Sequence, residues 1–229
     1  MIERGGRTVL VDPCVGNSKR LALDFWNNLR LPWLERFTAA GFDPATVDMV
    51  VHTHLHEDHI GWDTHLIEGQ WVPTFVNARH VYVGAELDYA RREDRRLHED
   101  PFADSIAPIL DAGLGWEVGP AADLGDGLQL LSTPGHTPGH VSLVVDTGAD
   151  DLVLSGDLSH HQIQFQNPGL AETADWDIGL ARRTRSEFFS EFSRTGSIIG
   201  GAHFAVEPVG RIEPIGSQWQ FRAEPGLST

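Results

Sequence analysis

The sequence predicts an α+β fold in which mixed β-sheets are flanked by helices. Short β-branched and apolar runs, typical of strands, recur along the 229 residues and alternate with segments of helical periodicity. Several of these strand-like runs end in a histidine or an aspartate that is followed by a loop-like segment. Apolar residues make up 41% of the chain and include seven tryptophans, which is enough material for a hydrophobic core.

The first three predicted elements lie before residue 53. Residues 7–12 are β-branched and apolar and are broken by the proline that follows, so they predict a strand. Residues 24–40 predict a helix, since apolar residues recur every three to four positions until Gly41, with a kink at Pro32. Residues 47–52 predict a second strand, which ends where a histidine-rich segment begins.

The middle of the chain predicts three strands and two helices. Residues 80–83 form a short apolar run, and a helix is expected from about residue 85 to residue 96. A shorter helix is expected over residues 104–112. Residues 128–132 and 140–145 are predicted strands on either side of a turn rich in proline and glycine.

The last third continues the same pattern. Residues 151–155 predict a strand that ends at Gly156 and Asp157. A long helix is expected over residues 177–194, and residues 197–200 predict a strand that leads to His203. The sequence contains no linker or repeat, so we expect a single domain over residues 1–229.

The densest group of potential metal ligands follows the second predicted strand. Residues 53–61 contain the pattern H-x-H-x-D-H, which places three imidazoles and a carboxylate within six positions. These are the ligand types that zinc and related divalent ions prefer, and neither a hydrophobic core nor a solvated surface benefits from such a cluster. The sequence therefore predicts a metal site on a strand-to-helix loop, where a rigid strand can position converging side chains.

Three further residues stand in contexts typical of ligands. His136 lies in a Thr-Pro-Gly-His-Thr-Pro-Gly-His segment, Asp157 in Ser-Gly-Asp, and His203 in Gly-Gly-Ala-His-Phe. Gly135 and Gly156 directly precede His136 and Asp157, and Gly201 stands two positions before His203. Glycine in these places permits a backbone conformation that turns the ligand inward.

Taken together, these motifs resemble those of the metallo-β-lactamase superfamily of binuclear metallohydrolases. The resemblance extends from Asp12 to about Arg222 and implies an αββα sandwich of two mixed β-sheets flanked by helices, with the site at one edge of the sheets. Family members usually have further strands before the segment that begins at Gly5. Either the start of the chain is truncated, or the sheet has fewer strands and a partner covers its exposed edge. The second possibility favours a homodimer.

The resemblance also implies seven ligands for two divalent metal ions. His54, His56 and His136 would bind the first ion, Asp58, His59 and His203 the second, and Asp157 would bridge both. Zn²⁺ is the expected metal, and Mn²⁺, Fe²⁺ and Co²⁺ suit the same ligands. Asp58 is in addition the expected catalytic residue, as a partner of the bridging hydroxide or a proton donor to the leaving group. His140 is expected to orient the site, and the roles of His160 and His161 stay open.

The implied activity is that of a binuclear hydrolase whose metal-bridging hydroxide cleaves an ester or a lactone, with phosphotriesterase side activity. Metal coordination lowers the pKa of bound water from 15.7 to roughly 7, which supplies hydroxide at neutral pH. The segments around His59 and His203 are most similar to the lactonase and organophosphate-hydrolase-like branch. The alternatives are a mononuclear iron sulfur dioxygenase and a glyoxalase II-type thioesterase of the same fold.

Composition limits the partners and the compartment. A net charge of −16 disfavours nucleic acid, and no apolar run approaches the ~18 residues of a membrane helix. Cys14 is the only cysteine, which excludes a disulfide within the chain, and the N-terminus lacks the pattern of a signal peptide, so we expect a cytoplasmic protein with a small-molecule substrate. The remaining histidines are expected to be ordinary surface or packed residues; they include His52, His65, His80 and His98.

Overall fold

A computed structural model describes residues 1–92, 100–205 and 207–224. The chain divides into two compact units, Met1–Val118 and Gly119–Thr229, called here the first and the second unit. The expectation of a single domain over residues 1–229 stays a prediction.

The first unit is built on a five-stranded sheet of order β1-β2-β3-β6-β7, beside a separate two-stranded hairpin of β4 and β5. The strands are β1 (Ile2–Arg4), β2 (Arg7–Val11), β3 (Met49–Val51), β4 (Thr64–Ile67), β5 (Gln70–Pro73), β6 (Arg79–Val83) and β7 (Gly115–Val118). β1 is antiparallel to β2, whereas β2, β3, β6 and β7 pair in parallel, so the sheet is mixed. The carboxyl ends of β2 and β3 therefore meet at one edge of the sheet, next to the predicted metal-binding loop.

The helices of the first unit are short. They are α1 (Trp33–Ala39), α2 (Glu57–Ile60), α3 (Gly84–Arg92) and α4 (Ala107–Asp111), which directly follows a π-helical segment over Phe102–Ile106. The prediction of a helix over residues 24–40 is wrong in its first half, because the helix begins only after Pro32. Proline has no N–H to donate and restricts the residue before it, so it starts this helix instead of kinking it. Residues 93–96 of the next predicted helix, and His98, lie outside the described residues.

Aromatic packing holds the start of the first unit against its sheet. The ring of Trp33 stacks on Phe37 and on Trp62, with centroids 5.0 Å apart in both pairs. A Cβ on Gly61 would overlap the carbonyl of Val15, so only glycine lets the chain after α2 approach this closely. The segment that carries the H-x-H-x-D-H pattern is therefore fixed at its far end by tight packing.

The second unit is built on a seven-stranded sheet of order β14-β13-β12-β11-β10-β9-β8. Its strands are β8 (Asp123–Gly125), β9 (Leu128–Ser132), β10 (Val141–Val145), β11 (Leu152–Leu154), β12 (Ile198–Gly200), β13 (Val209–Ile215) and β14 (Gln218–Ala223). The pairing of β11 with β12 is parallel and the other pairings are antiparallel. The parallel pair brings the loops after β11 and β12 to the same edge, and these loops contain Asp157 and His203.

Two helices pack within the second unit, α5 (Ile163–Gln166) and α6 (Ile178–Thr195). The Asp177 side chain caps α6 by accepting a hydrogen bond from the Leu180 N–H, and Gly196 ends the helix in the left-handed conformation, with φ of 73°. A cluster of phenylalanines joins these helices to the sheet; its fully buried members include Phe165 and Phe189, whose rings stack at 4.3 Å. The predicted α+β composition with mixed sheets is thus confirmed. No helix among the described residues is long and apolar enough to span a membrane.

Candidate metal centre

The four candidate ligands of the first unit lie close together. His54 and His56 are on the loop after β3, and Asp58 and His59 are in the short helix α2. His54 Nε2 lies 3.1 Å from His56 Nδ1, and the ring centroids of His54 and His59 are 4.1 Å apart. Asp58 Oδ2 lies 3.6 Å from His59 Nε2. The loop and the helix therefore present imidazole and carboxylate groups to one small region of the first unit.

Asp12 orients two of these histidines. It follows β2, and its carboxylate accepts hydrogen bonds from the Thr53 N–H (2.8 Å), the Thr53 hydroxyl (2.7 Å) and His59 Nδ1 (2.9 Å). Since the Thr53 hydroxyl donates to Asp12, its oxygen accepts from His54 Nδ1 at 3.1 Å. With protons on both Nδ1 atoms, Nε2 of His54 and of His59 carries the lone pair that a metal ligand needs.

The candidate ligands of the second unit surround one carboxylate oxygen. Oδ2 of Asp157 lies 3.4 Å from His136 Nε2 and 3.3 Å from His203 Nε2. Asp157 is almost fully buried in a short 3₁₀ turn after β11. His136 lies in the turn between β9 and β10, and His203 follows β12. All three predicted ligands of this unit are therefore brought together.

A second carboxylate orients His136. His136 Nδ1 lies 3.2 Å from Asp175 Oδ1 and donates to it, which again leaves Nε2 as the lone-pair nitrogen. Asp175 also accepts from the Glu172 N–H and lies 3.6 Å from the fully buried guanidinium of Arg185. Burial alone would raise the pKa of Asp175, but these hydrogen bonds and the charge of Arg185 outweigh it and lower the pKa. The carboxylate is therefore ionised at neutral pH.

His140 and Gly135 shape the turn around His136. His140 Nδ1 lies 3.0 Å from the Thr133 carbonyl and donates to it, so His140 Nε2 accepts from the Asp157 N–H at 3.0 Å. This hydrogen bond positions Asp157, as predicted for His140. Gly135 has a φ of 136° and no room for a Cβ against the backbone of Ala181, so only glycine suits this position.

His160 and His161, whose roles the sequence leaves open, differ in the structure. His160 Nε2 lies 3.0 Å from Asp157 Oδ2, and its ring stacks on His203 at 5.0 Å. His161 Nδ1 instead accepts a hydrogen bond from the Ile163 N–H at the start of α5. His160 thus joins the group of the second unit, and His161 has a local structural role.

Both groups fit a divalent metal. A tetrahedral zinc with Zn–N bonds of 2.0–2.1 Å holds its ligand atoms about 3.3–3.4 Å apart. The nitrogen–nitrogen distance of 3.1 Å in the first unit and the nitrogen–oxygen distances of 3.0–3.4 Å in the second lie close to this value. The donor types are the imidazoles and carboxylates that zinc prefers, and the partners of three Nδ1 atoms fix the tautomers as metal coordination requires.

Sequence comparison relates the chain to one family. A profile of the Metallo-beta-lactamase superfamily matches residues 1–190. The chain is 36% identical over 157 residues to the N-acyl homoserine lactonase AttM of Rhizobium radiobacter, a match that covers 62% of this chain and 54% of that protein. It is 30% identical over 128 residues to an N-acyl homoserine lactonase of Bacillus sp, covering 56% of this chain and 44% of the relative. The chain thus spans about half the length of the curated relatives it matches.

Solved structures show the same fold. The hydrolase AbOPH of the beta lactamase superfamily superposes with a TM-score of 0.80 at 25% identity, over 96% of this chain and 76% of that one. AidC, a dizinc quorum-quenching lactonase in complex with a product, superposes with a TM-score of 0.76 at 21% identity, again over 96% and 76% of the two chains.

Proposed function

The chain belongs to the metallo-β-lactamase superfamily, and we propose that it is a metal-dependent hydrolase that opens a lactone ring. The substrate class is N-acyl homoserine lactones, with other lactones and esters as weaker substrates. The observation that carries the proposal is the orientation of the ligand histidines: His54, His59 and His136 each have a proton fixed on Nδ1 and a lone pair on Nε2. The substrate class is supported by the lactonases among the relatives.

The proposed ligands come from both groups described above. His54, His56 and His136 would hold the first ion, Asp58, His59 and His203 would hold the second, and Asp157 would be shared between the two. The ions are divalent, and Zn²⁺ suits the donor set best. When bound, they supply acidified water and polarisation of the substrate carbonyl.

The protein's own side chains supply positioning and proton transfer. Asp12 and Asp175 hold the imidazoles in one tautomer, so the site needs little reorganisation when the substrate binds. Opening a lactone with water gives a hydroxy acid, and the leaving ring oxygen must gain a proton. Asp58, whose side chain keeps 12% of its surface exposed, is the proposed residue that holds and delivers this proton.

The test combines metal analysis with a panel of substrates. We expect zinc in the purified protein and turnover of an N-acyl homoserine lactone that a chelator abolishes and added Zn²⁺ restores. An aryl ester and a phosphotriester, run in parallel, rank the side activities. Metal-loaded protein that leaves every lactone intact would contradict the proposed substrate class.

A second test addresses the bridging ligand. Asp157→Ala removes the carboxylate around which three imidazole nitrogens converge, so we expect loss of metal occupancy together with loss of lactone hydrolysis. A variant that keeps two ions and full activity would show that the bridging assignment is wrong. Gly119→Ala, at an open surface position of the same unit, is the control.

The relatives named above do not favour the sulfur dioxygenase or the thioesterase. One iron per chain with oxygen consumption and no hydrolysis would restore the dioxygenase as the leading candidate.

The location and the oligomeric state of the protein are also proposals. The single Cys14 supports a location in the reducing cytoplasm, and the exposed apolar side chains of Leu23, Phe25 and Leu31 support a homodimer, which light scattering would detect.

A further inference from the structure

A second group of metal-ligand side chains is buried inside the first unit. His52 follows β3, Asp63 ends the 3₁₀ turn Gly61–Asp63, and His80 lies in β6, the strand beside β3. Their exposed fractions are 2%, 0% and 0%. One ligand atom from each residue lies within 4.8 Å of the other two, which is the spacing of a shared ion. None of the three belongs to the proposed hydrolytic site.

The three side chains converge on the Asp63 carboxylate. His52 Nε2 lies 2.9 Å from Asp63 Oδ2, and His80 Nδ1 lies 3.1 Å from Asp63 Oδ1. His52 Nδ1 donates to the Val81 carbonyl at 3.0 Å. Neither ring nitrogen of His80 has a hydrogen-bond partner among the described residues, although both are buried.

A buried ion pair accounts for only part of this arrangement. Protonated His52 would neutralise Asp63, and its two nitrogens would both donate, to the carboxylate and to Val81. His80 would then be a second buried imidazole that is not needed to neutralise Asp63. Its Nδ1 contacts the carboxylate but does not have hydrogen-bond geometry. Burying such a group without a partner costs free energy.

A bound divalent ion accounts for the convergence of all three side chains, because it would take the lone pair of His80 Nδ1. Two ligands of one ion lie about 3.3 Å apart and point their lone pairs at the ion, so they approach each other without bonding directly. A histidine ligand usually donates its other ring nitrogen to a carbonyl or a carboxylate, as His52 does to Val81. The 3.1 Å contact of His80 with Asp63 lies within the range of spacings between the proposed ligands of the hydrolytic site, where the atoms are 3.1–3.6 Å apart.

Asp63 is the anionic member of the group. Burial alone would raise its pKa, but the interactions with His52 and His80 outweigh burial and hold the pKa at about 2.

We propose that His52, Asp63 and His80 form a separate structural site for one divalent ion, Zn²⁺ by its ligand chemistry. The Tyr82 hydroxyl, 3.4 Å from Asp63 Oδ2, is the nearest polar group for a fourth position. Binding of the ion releases the proton of His52 Nε2 to solvent. The site joins β3, the turn after α2 and β6, so the ion fastens both ends of the segment that carries the H-x-H-x-D-H pattern. Because the site is closed to solvent, the ion enters during folding and resists chelators afterwards.

The experiment counts zinc before and after brief treatment with EDTA. Protein refolded in Zn²⁺ is desalted, exposed to the chelator and analysed for metal per chain. We expect one zinc to survive this treatment in the natural protein and to be lost in Asp63→Asn and His80→Gln. It should persist in Asp157→Ala and in His65→Gln, a histidine of β4 outside the group. Co²⁺ refolding gives a second readout, since the resistant ion should show tetrahedral absorption bands that disappear in Asp63→Asn.

The natural protein alone can decide the question if the variants fail to fold. Absence of an EDTA-resistant zinc after refolding would overturn the proposal and leave the group as a proton-holding ion pair. The outcome is independent of the proposed hydrolytic function, because that site is scored by the EDTA-sensitive metal and by lactone turnover.

Discussion

At the scale of single residues, the sequence singles out the seven proposed ligands but not the residues that support them. The seven proposed ligands stand in dense or glycine-flanked motifs, which the sequence displays directly. Asp12 and Asp175 stand in no such motif, and each meets its histidine only through the fold, since Asp12 is 47 positions from His59. The only sequence signal for Asp12 is its position as an acidic residue at the end of a predicted strand. Such residues are common, so this position alone does not identify a support for a metal ligand.

Asp12→Asn tests the support of the first group. The amide keeps the size of the carboxylate but weakens the hydrogen bonds from Thr53 and His59, so both histidine tautomers are less well fixed. We expect zinc affinity and kcat/KM to fall about 10–100-fold, as is common for partners of metal ligands. Zinc competition with a chromophoric chelator measures the affinity. Asp48→Asn is the control, because Asp48 accepts a hydrogen bond from Thr8 at the other end of β3; equal losses in both variants would contradict the assigned role.

Arg185→Met tests the support of the second group. Arg185 is fully buried, lies against Asp175 and donates to the carbonyls of Leu158 and Leu170. Removing it leaves a buried carboxylate without its cation, which costs about 3–5 kcal/mol of the free energy of unfolding. Urea denaturation measures this loss. Arg182→Met on the exposed face of the same helix should change the midpoint little, and a comparable loss there would contradict the argument.

At the scale of elements, prediction succeeded where the local signal was strong. Helix α6 was predicted within one residue of its bounds, since it has a capping aspartate, regular apolar spacing and a terminal glycine. β9 was predicted with its observed bounds, Leu128–Ser132. The strands β13 and β14 were missed, because they mix arginine, glutamate and glutamine with apolar residues and are defined mainly by pairing with each other.

Gly135→Ala tests how α6 fixes the turn that carries His136. The added Cβ would overlap the backbone of Ala181. The alanine would also have to adopt a backbone φ of 136°, which side-chain-bearing residues rarely do. We expect a loss of stability of about 1–3 kcal/mol from overpacking, together with weaker metal binding, as His136 moves away from Asp157. Thermal unfolding and metal titration measure the two effects. Gly119→Ala, which meets no atom within 4 Å, should leave both unchanged; a Gly135→Ala protein with unchanged metal affinity would show that the turn tolerates the shift.

At the scale of the whole molecule, the motifs predicted the family and the metallo-β-lactamase fold, and both are confirmed. Composition could not have done so, because the net charge of −16 reports on solubility and partners and not on topology. The division into two compact units was not predicted, since no linker composition marks the boundary near Val118. The two units are defined by contacts between residues that are distant in sequence, and such contacts give no local sequence signal.

Stability in acid tests the buried carboxylate of the first unit. The pKa of Asp63 is depressed to about 2 in the folded protein, so its contribution to stability is complete above the unfolded pKa of about 3.9 and is lost as the pH falls from there towards 2. We expect the melting temperature of the natural protein to fall over this range and that of Asp63→Asn to start lower and fall less. Parallel curves for the two proteins would contradict the assigned pKa.

The stacked indoles of Trp33 and Trp62, 5.0 Å apart and inclined by 18°, give the chain an optical property of its own. Two aromatic chromophores at this distance couple their electronic transitions and respond to circularly polarised light as a pair. One partner lies in α1 and the other just after the last histidine of the H-x-H-x-D-H segment. The strength of this circular dichroism signal therefore reports whether the segment is packed against α1. An unlabelled sample can thus be followed during folding and metal loading.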